Sequence, residues 1–236
     1  MNTATKQTTR GFLVLSIAAI MLSGAGAVQA AVIDLTPTSG FTDTYSQDYD
    51  WNDGSPTGFS LSNTDITFSN IGLGIGAGFS SYLVDSTDAG ATGSLTFDFD
   101  TDASADGLTL SSVEIKSHSY DFGADSANTI GEWSTDGGSN WTEFYNTQND
   151  RNGILTDTLS GSGIAGATAL KIRYTTTLNS DGADTEQQIF GVRDDGLAIG
   201  TSWTHSVTAT YVVPEPSTLA LLGMGGVLFL RLLRRR

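Results

Sequence analysis

Strict period-two alternation is the feature that most constrains this chain. In Ser94-Leu95-Thr96-Phe97-Asp98-Phe99-Asp100 every second residue is apolar, and Leu108-Thr109-Leu110, Val113-Glu114-Ile115-Lys116 and Leu170-Lys171-Ile172-Arg173-Tyr174 repeat the pattern. Successive strand side chains point to opposite faces, so such runs bury one face and wet the other. Weaker runs at Phe59–Leu61, Ile66–Phe68, Ile154–Thr156, Gln188–Phe190 and Val207–Val212 extend the series. Asp, Ser, Thr, Gly and Asn lie between them and favour turns and caps over helix interiors. The expected fold is all-β, an antiparallel jelly-roll β-sandwich over residues 31–212. About 180 residues suffice for one domain with a sizeable core, and no internal linker interrupts them. The chain has no cysteine, which removes disulfides, thiol nucleophiles and thiolate metal sites.

Charge narrows the partners. The formal net charge is −15, and all 26 acidic residues fall between Asp34 and Glu215. Lys6, Arg10 and four arginines at the C-terminus lie outside that span, leaving five of the 11 basic residues to oppose them. Phosphate backbones need the opposite sign, so nucleic acid is excluded as a partner.

Both ends carry export features. Lys6 and Arg10 precede the apolar run Phe12–Leu22, and Val28-Gln29-Ala30 offers the small residues that a signal peptidase reads. Residues 1–30 therefore read as a signal peptide with a helical apolar core, cut between Ala30 and Ala31. At the other end, Val213-Pro214-Glu215-Pro216-Ser217 leads into Leu219–Leu230 and then Arg231, Arg234, Arg235 and Arg236. A helix from Thr218 to Leu233 would span roughly 24 Å, enough for a thin bilayer, with the arginines on the cytoplasmic side. The two prolines fix φ and remove backbone donors, which makes Val213–Ser217 extended and readable by a processing enzyme.

This succession, a Pro-Glu-Pro motif, one hydrophobic segment and an arginine cluster over residues 213–236, resembles the PEP-CTERM sorting signal of exported bacterial proteins. The resemblance implies an inner-membrane-anchored precursor, an exosortase that recognises Pro214, Glu215 and Pro216, display at the cell surface or in the medium of a Gram-negative bacterium, and association with exopolysaccharide in biofilm. The order of strands around Glu132-Trp133-Ser134-Thr135-Asp136-Gly137-Gly138-Ser139-Asn140-Trp141-Thr142-Glu143-Phe144 is similar to the back half of concanavalin-like and MAM-like jelly rolls. That segment itself reads as a β-hairpin with an Asp-Gly-Gly turn. Its Ser134, Asp136, Gly138 and Trp141 resemble an Asp-box, which occurs once here and so does not make a propeller.

No catalytic constellation stands out. His118 and His205 sit in strand-like alternation and are expected at exposed strand positions; Glu114, Glu132 and Glu143 lie on strands, lining a groove or facing solvent. The Gly-rich stretch Ile71–Gly78 lacks the Lys-Ser/Thr of a phosphate loop and is expected as a flexible loop. No resident cofactor is expected, with calcium the one candidate. Asp48, Asp50 and Asp53 in one loop and Asp98, Asp100, Asp102 and Asp106 in another cluster hard oxygen donors, though neither follows the EF-hand pattern, and Asx-turns at strand ends are the alternative reading. Three function classes follow: a non-enzymatic surface or matrix protein, a carbohydrate-binding module stacking sugars on Trp51, Trp203 or Tyr120, and a secreted glycan hydrolase.

Overall fold

The computed structural model describes residues 30–52, 55–76, 79–86, 88–119, 127–146, 153–179, 188–193 and 202–214. The expected signal helix and the expected C-terminal membrane helix lie outside these residues. Among the described residues no helix is long and apolar enough to cross a membrane.

The strands are β1 (Ile33–Asp34), β2 (Thr42–Asn52), β3 (Ser55–Thr57), β4 (Thr67–Ser69), β5 (Ile71–Gly76), β6 (Phe79–Val84) and β7 (Thr92–Asp100). There follow β8 (Thr109–Ser119), β9 (Ala127–Ser134), β10 (Thr142–Asn146), β11 (Gly153–Ser160), β12 (Ala169–Leu178), β13 (Gln188–Arg193) and β14 (Ser202–Val212). A six-stranded sheet runs β1-β7-β12-β9-β10, with β4 also on β7; a five-stranded sheet runs β11-β8-β14-β2-β3; a three-stranded sheet runs β13-β6-β5. β1 and β4 share the free edge of β7, Ile33 opposite Phe99 and Phe68 opposite Leu95. The β1–β7 pair is parallel and the other pairs are antiparallel, so the described fold is all-β with one mixed and two antiparallel sheets.

Alternation decides what is buried. On β7 and β12 the inward residues Leu95, Phe97, Phe99, Leu170, Ile172 and Tyr174 are all nearly or wholly inaccessible. Facing them from the five-stranded sheet are Tyr49, Val113, Ile115, Val207, Ala209 and Tyr211. The ring of Tyr45 lies 6.0 Å from Phe97 and 5.7 Å from Phe99, joining the two sheets. The third sheet adds Tyr82 and Phe190 to the same core, with Phe190 5.1 Å from Tyr174. Each such side chain contributes about 1.5–3 kcal/mol of transfer free energy, which supports a domain with no cross-link.

Four expectations change. The expected loop over Ile71–Gly78 is strand β5 as far as Gly76, paired with β6 from Ile71↔Val84 to Gly76↔Phe79. Glycine serves close packing here: a Cβ on Gly74 would stand 2.5 Å from Leu83 Cδ1. Asp48 and Asp50 lie on strand β2 and not in a loop, because Tyr45 and Tyr49 alternate inward while the acids face out. Phe59–Leu61, expected as a strand, forms none. Both histidines are on strands as expected, β8 and β14, but are buried, at 2% and 0% exposure. His205 shares parity with Trp203, Val207 and Ala209, so the pleat carries it inward.

Candidate functional site

The place where the tail leaves the fold is built by β14. This strand is flanked by β8 and β2 in its sheet, and its last residue, Val212, lies opposite Thr109. The Tyr211 N–H donates to the Phe41 carbonyl at 2.7 Å. Its hydroxyl donates to the Leu35 carbonyl at 2.9 Å, with the Thr101 carbonyl at 3.4 Å, so one side chain pins β14 to the opposite sheet. Burial, and then the carboxylates of Asp43, Asp100, Asp34 and Asp102, raise the Tyr211 hydroxyl above the usual phenol range. Val213 is 61% exposed and Pro214 is also exposed. Val213 and Pro214 therefore stand at the surface, directly after the last described strand. Glu215, Pro216, Arg231, Arg234, Arg235 and Arg236 lie outside the described residues. At the other end, the Ala30 N–H donates to Thr67 Oγ1 at 3.2 Å and the Ala31 N–H to the Thr64 carbonyl at 2.7 Å.

The two aspartate clusters are spread over the fold. Asp48 accepts from Thr204 Oγ1 at 2.6 Å and Asp50 from Thr57 Oγ1, both across strand pairs. Asp98 pairs with Lys171 on the neighbouring strand. Asp100 Oδ1 accepts from the Asp102 N–H at 2.9 Å, and Asp102 Oδ1 from the Ser104 N–H at 3.0 Å, successive Asx-turns that lead into a single 3₁₀ turn at Ser104–Asp106. The bonds from the Ser104 side chain and N–H hold the Asp102 carboxyl below its ordinary range. Among the described residues no group of three or more histidine or acidic side chains is placed to hold a metal ion. Asp53 lies outside them.

The Asp-Gly-Gly segment is the expected hairpin, β9 pairing with β10 from Trp133↔Thr142 to Ile130↔Asn146. Asp136 is its hub. The carboxylate accepts from Ser134 Oγ at 2.7 Å and from the N–H and Nδ2 of Asn140 at 2.9 and 2.5 Å, which pulls its pKa far below the usual carboxylate value. Gly137 and Gly138 take φ of 75° and 95°, which a residue with a Cβ adopts only under strain. Arg173 of β12 binds Glu132 Oε2 at 2.7 Å and lies 3.9 Å over the Trp141 ring. Glu132 is thus held in an ion pair, while Glu114 and Glu143 are exposed on different sheets.

Sequence reasoning missed the aromatic–histidine cluster inside the sandwich. Trp203 stacks on Tyr49 at 4.7 Å and contacts Phe190 and His118, each at 5.1 Å; His205 lies 4.9 Å from Phe97 and 5.4 Å from Phe190. His205 Nδ1–H donates to the Lys116 carbonyl at 2.9 Å, which fixes the tautomer. Neither ring nitrogen of His118 has a hydrogen-bond partner among the described residues, and nor does Nε2 of His205. Burial lowers both imidazoles to about 4, so both are neutral at pH 7. The strand parity Trp203-His205-Val207-Ala209-Tyr211 was the available signal. Trp203, one of three aromatics expected as sugar platforms, is 4% exposed and belongs to the core; Tyr120 and the side chain of Trp51 lie outside the described residues. Trp203→Ala is expected to lower unfolding free energy by about 3 kcal/mol in a denaturant titration, as core truncations do.

Fold and tail together define a class: an all-β domain whose last strand runs straight into a sorting segment. Residues 212–236 match the family model described as the PEP-CTERM protein-sorting motif. The motif supports an exported protein with a membrane-anchored precursor, sorted and processed by an exosortase. None of the curated proteins compared with the chain matches it.

Proposed function

We propose that this is a non-enzymatic surface or matrix protein of a Gram-negative envelope, a jelly-roll domain delivered by its tail and associated with exopolysaccharide. The observation that carries the reading is the tail: the sorting motif begins at the residue where β14 ends, so the folded body is the delivered cargo. The sheets packed face to face over one core support the jelly-roll assignment. Signal peptidase acts first at Ala30–Ala31 and exosortase second.

Association with polysaccharide is supported by the outer face of the five-stranded sheet. Three rows cross four strands: Ser160-Ser112-Thr210-Thr42, Thr158-Glu114-Thr208-Thr44 and Thr156-Lys116-Ser206-Ser46. Ten of these twelve positions carry a hydroxyl, and the remaining two, Glu114 and Lys116, cancel in charge. The Thr44 and Thr208 hydroxyls lie 3.0 Å apart. On a body this acidic, these three rows form a neutral patch of donors and acceptors, with Asp48 and Asp50 beyond it on the same face, and such a patch suits an uncharged, hydroxyl-rich polymer and not a polyanion. Thr208→Lys is expected to abolish co-sedimentation of the mature protein with a neutral exopolysaccharide while leaving its melting temperature unchanged. Undiminished retention, or release of reducing ends by the wild-type protein, would refute the reading.

A further inference from the structure

We infer that the folded domain itself docks on the sorting enzyme, through the surface around the tail exit formed by Phe41, Val212 and Val213. The inference rests on the sorting reading above. Three of the exposed large apolar side chains, Phe41 at 53%, Val212 at 45% and Val213 at 61%, belong to two strand ends joined by the Tyr211 N–H to Phe41 carbonyl bond. No spacer separates them from the motif: β14 ends at Val212 and the prolines stand at 214 and 216. An enzyme that grips Pro214–Pro216 therefore meets this end of the sandwich within one or two residues.

The length of chain beyond the fold limits the alternatives. From Val213 to Thr218 the backbone reaches at most roughly 18 Å, so in the precursor this end faces the membrane surface where the enzyme resides. Direct seating on the bilayer is opposed by charge. Asp34 and Asp100 stand opposite each other where β1 meets β7, beside the Leu35 carbonyl that holds Tyr211; Asp102 follows two residues on, Asp43 lies two residues from Phe41, and covering these carboxylates with a bilayer would strip their hydration. An enzyme surface with an apolar spot and a basic rim complements both features.

The chain has no cysteine, so Phe41→Cys gives a single thiol at the exit, and Ile154→Cys gives a control on β11 at the opposite end of the sheet, beside His118. Each full-length precursor is labelled with a membrane-impermeant thiol reagent in cells that contain a catalytically inactive exosortase and in cells that contain none. Protection of position 41 only when the enzyme is present, with position 154 labelled throughout, is the expected result. Equal labelling of position 41 in both strains would overturn the inference, and so would protection in both, which would mean that the bilayer covers it. In the active strain Phe41→Glu is expected to slow tail removal about tenfold, the effect of one lost apolar anchor. A flexible spacer between Val213 and Pro214 is expected to make processing indifferent to position 41. Glu215→Ala separates the two levels: if it blocks processing while Phe41→Glu does not, docking fails and sorting stands; if it is processed normally, the sorting reading fails.

Discussion

Unfolding free energy is expected to fall by about 5 kcal/mol between pH 7.5 and pH 4.5, with His118 and His205 contributing about half each. Burial holds both at about 4 in the folded state, against an unfolded value near 6.5. The unfolded chain therefore binds more protons between these values. The stabilisation is complete above pH 6.5 and is lost as pH falls toward 4. Among the described residues the ring neighbours of His205 are Phe97, Tyr174, Phe190 and Trp203, and its Nε2 has no hydrogen-bond partner, so the second proton of an imidazolium there would find no acceptor. Asp136 acts in the same direction but in a lower window, since a depressed carboxylate loses its contribution only as pH falls through the carboxylate range. His205→Asn keeps a donor for the Lys116 carbonyl and removes one titration, so denaturant titrations across the window should show its pH slope halved. A wild-type stability that is flat from pH 7.5 to 4.5 would disprove the account of the core.

Replacing Glu215 with Ala, or deleting Arg234–Arg236, is expected to abolish tail removal and leave an unprocessed precursor in the inner membrane. Glu215 carries the only charge in Val213–Ser217 and stands between two prolines. The role proposed for the arginines is to keep the apolar run across the bilayer from the cytoplasmic side. Losing the first removes the group to be read, and losing the second removes its presentation at a fixed depth. Blotting of membrane and surface fractions distinguishes precursor from mature chain. Normal surface display of both variants would contradict the sorting mechanism.

What the sequence disclosed depended on how cleanly a strand's two faces differ. β7 and β12 were legible because Phe97, Phe99, Ile172 and Tyr174 alternate with Thr, Asp, Lys and Arg. β2 was obscured because Asp48 and Asp50 flank Tyr49 and read as a loop of oxygen donors, although the period-two spacing of Tyr45 and Tyr49 was present. β5 was hidden by glycines, whose use is close approach to β6 and whose composition suggests a loop. His205 was misplaced because its neighbours Thr204 and Ser206 are polar; the residues that share its face lie two positions away. The sorting tail needed no tertiary information, since its meaning lies in linear order. The tail exit was not legible, because Phe41 and Tyr211 meet only through the pairing of β2 with β14.

The measurement that tests the central claim most directly is mass spectrometry of both termini of the protein recovered from its native cell surface and medium. A chain that starts at Ala31 and ends near Pro214 is the predicted result: an all-β domain exported, sorted and trimmed at the edge of its last strand. A recovered chain that still ends at Arg236 would contradict it.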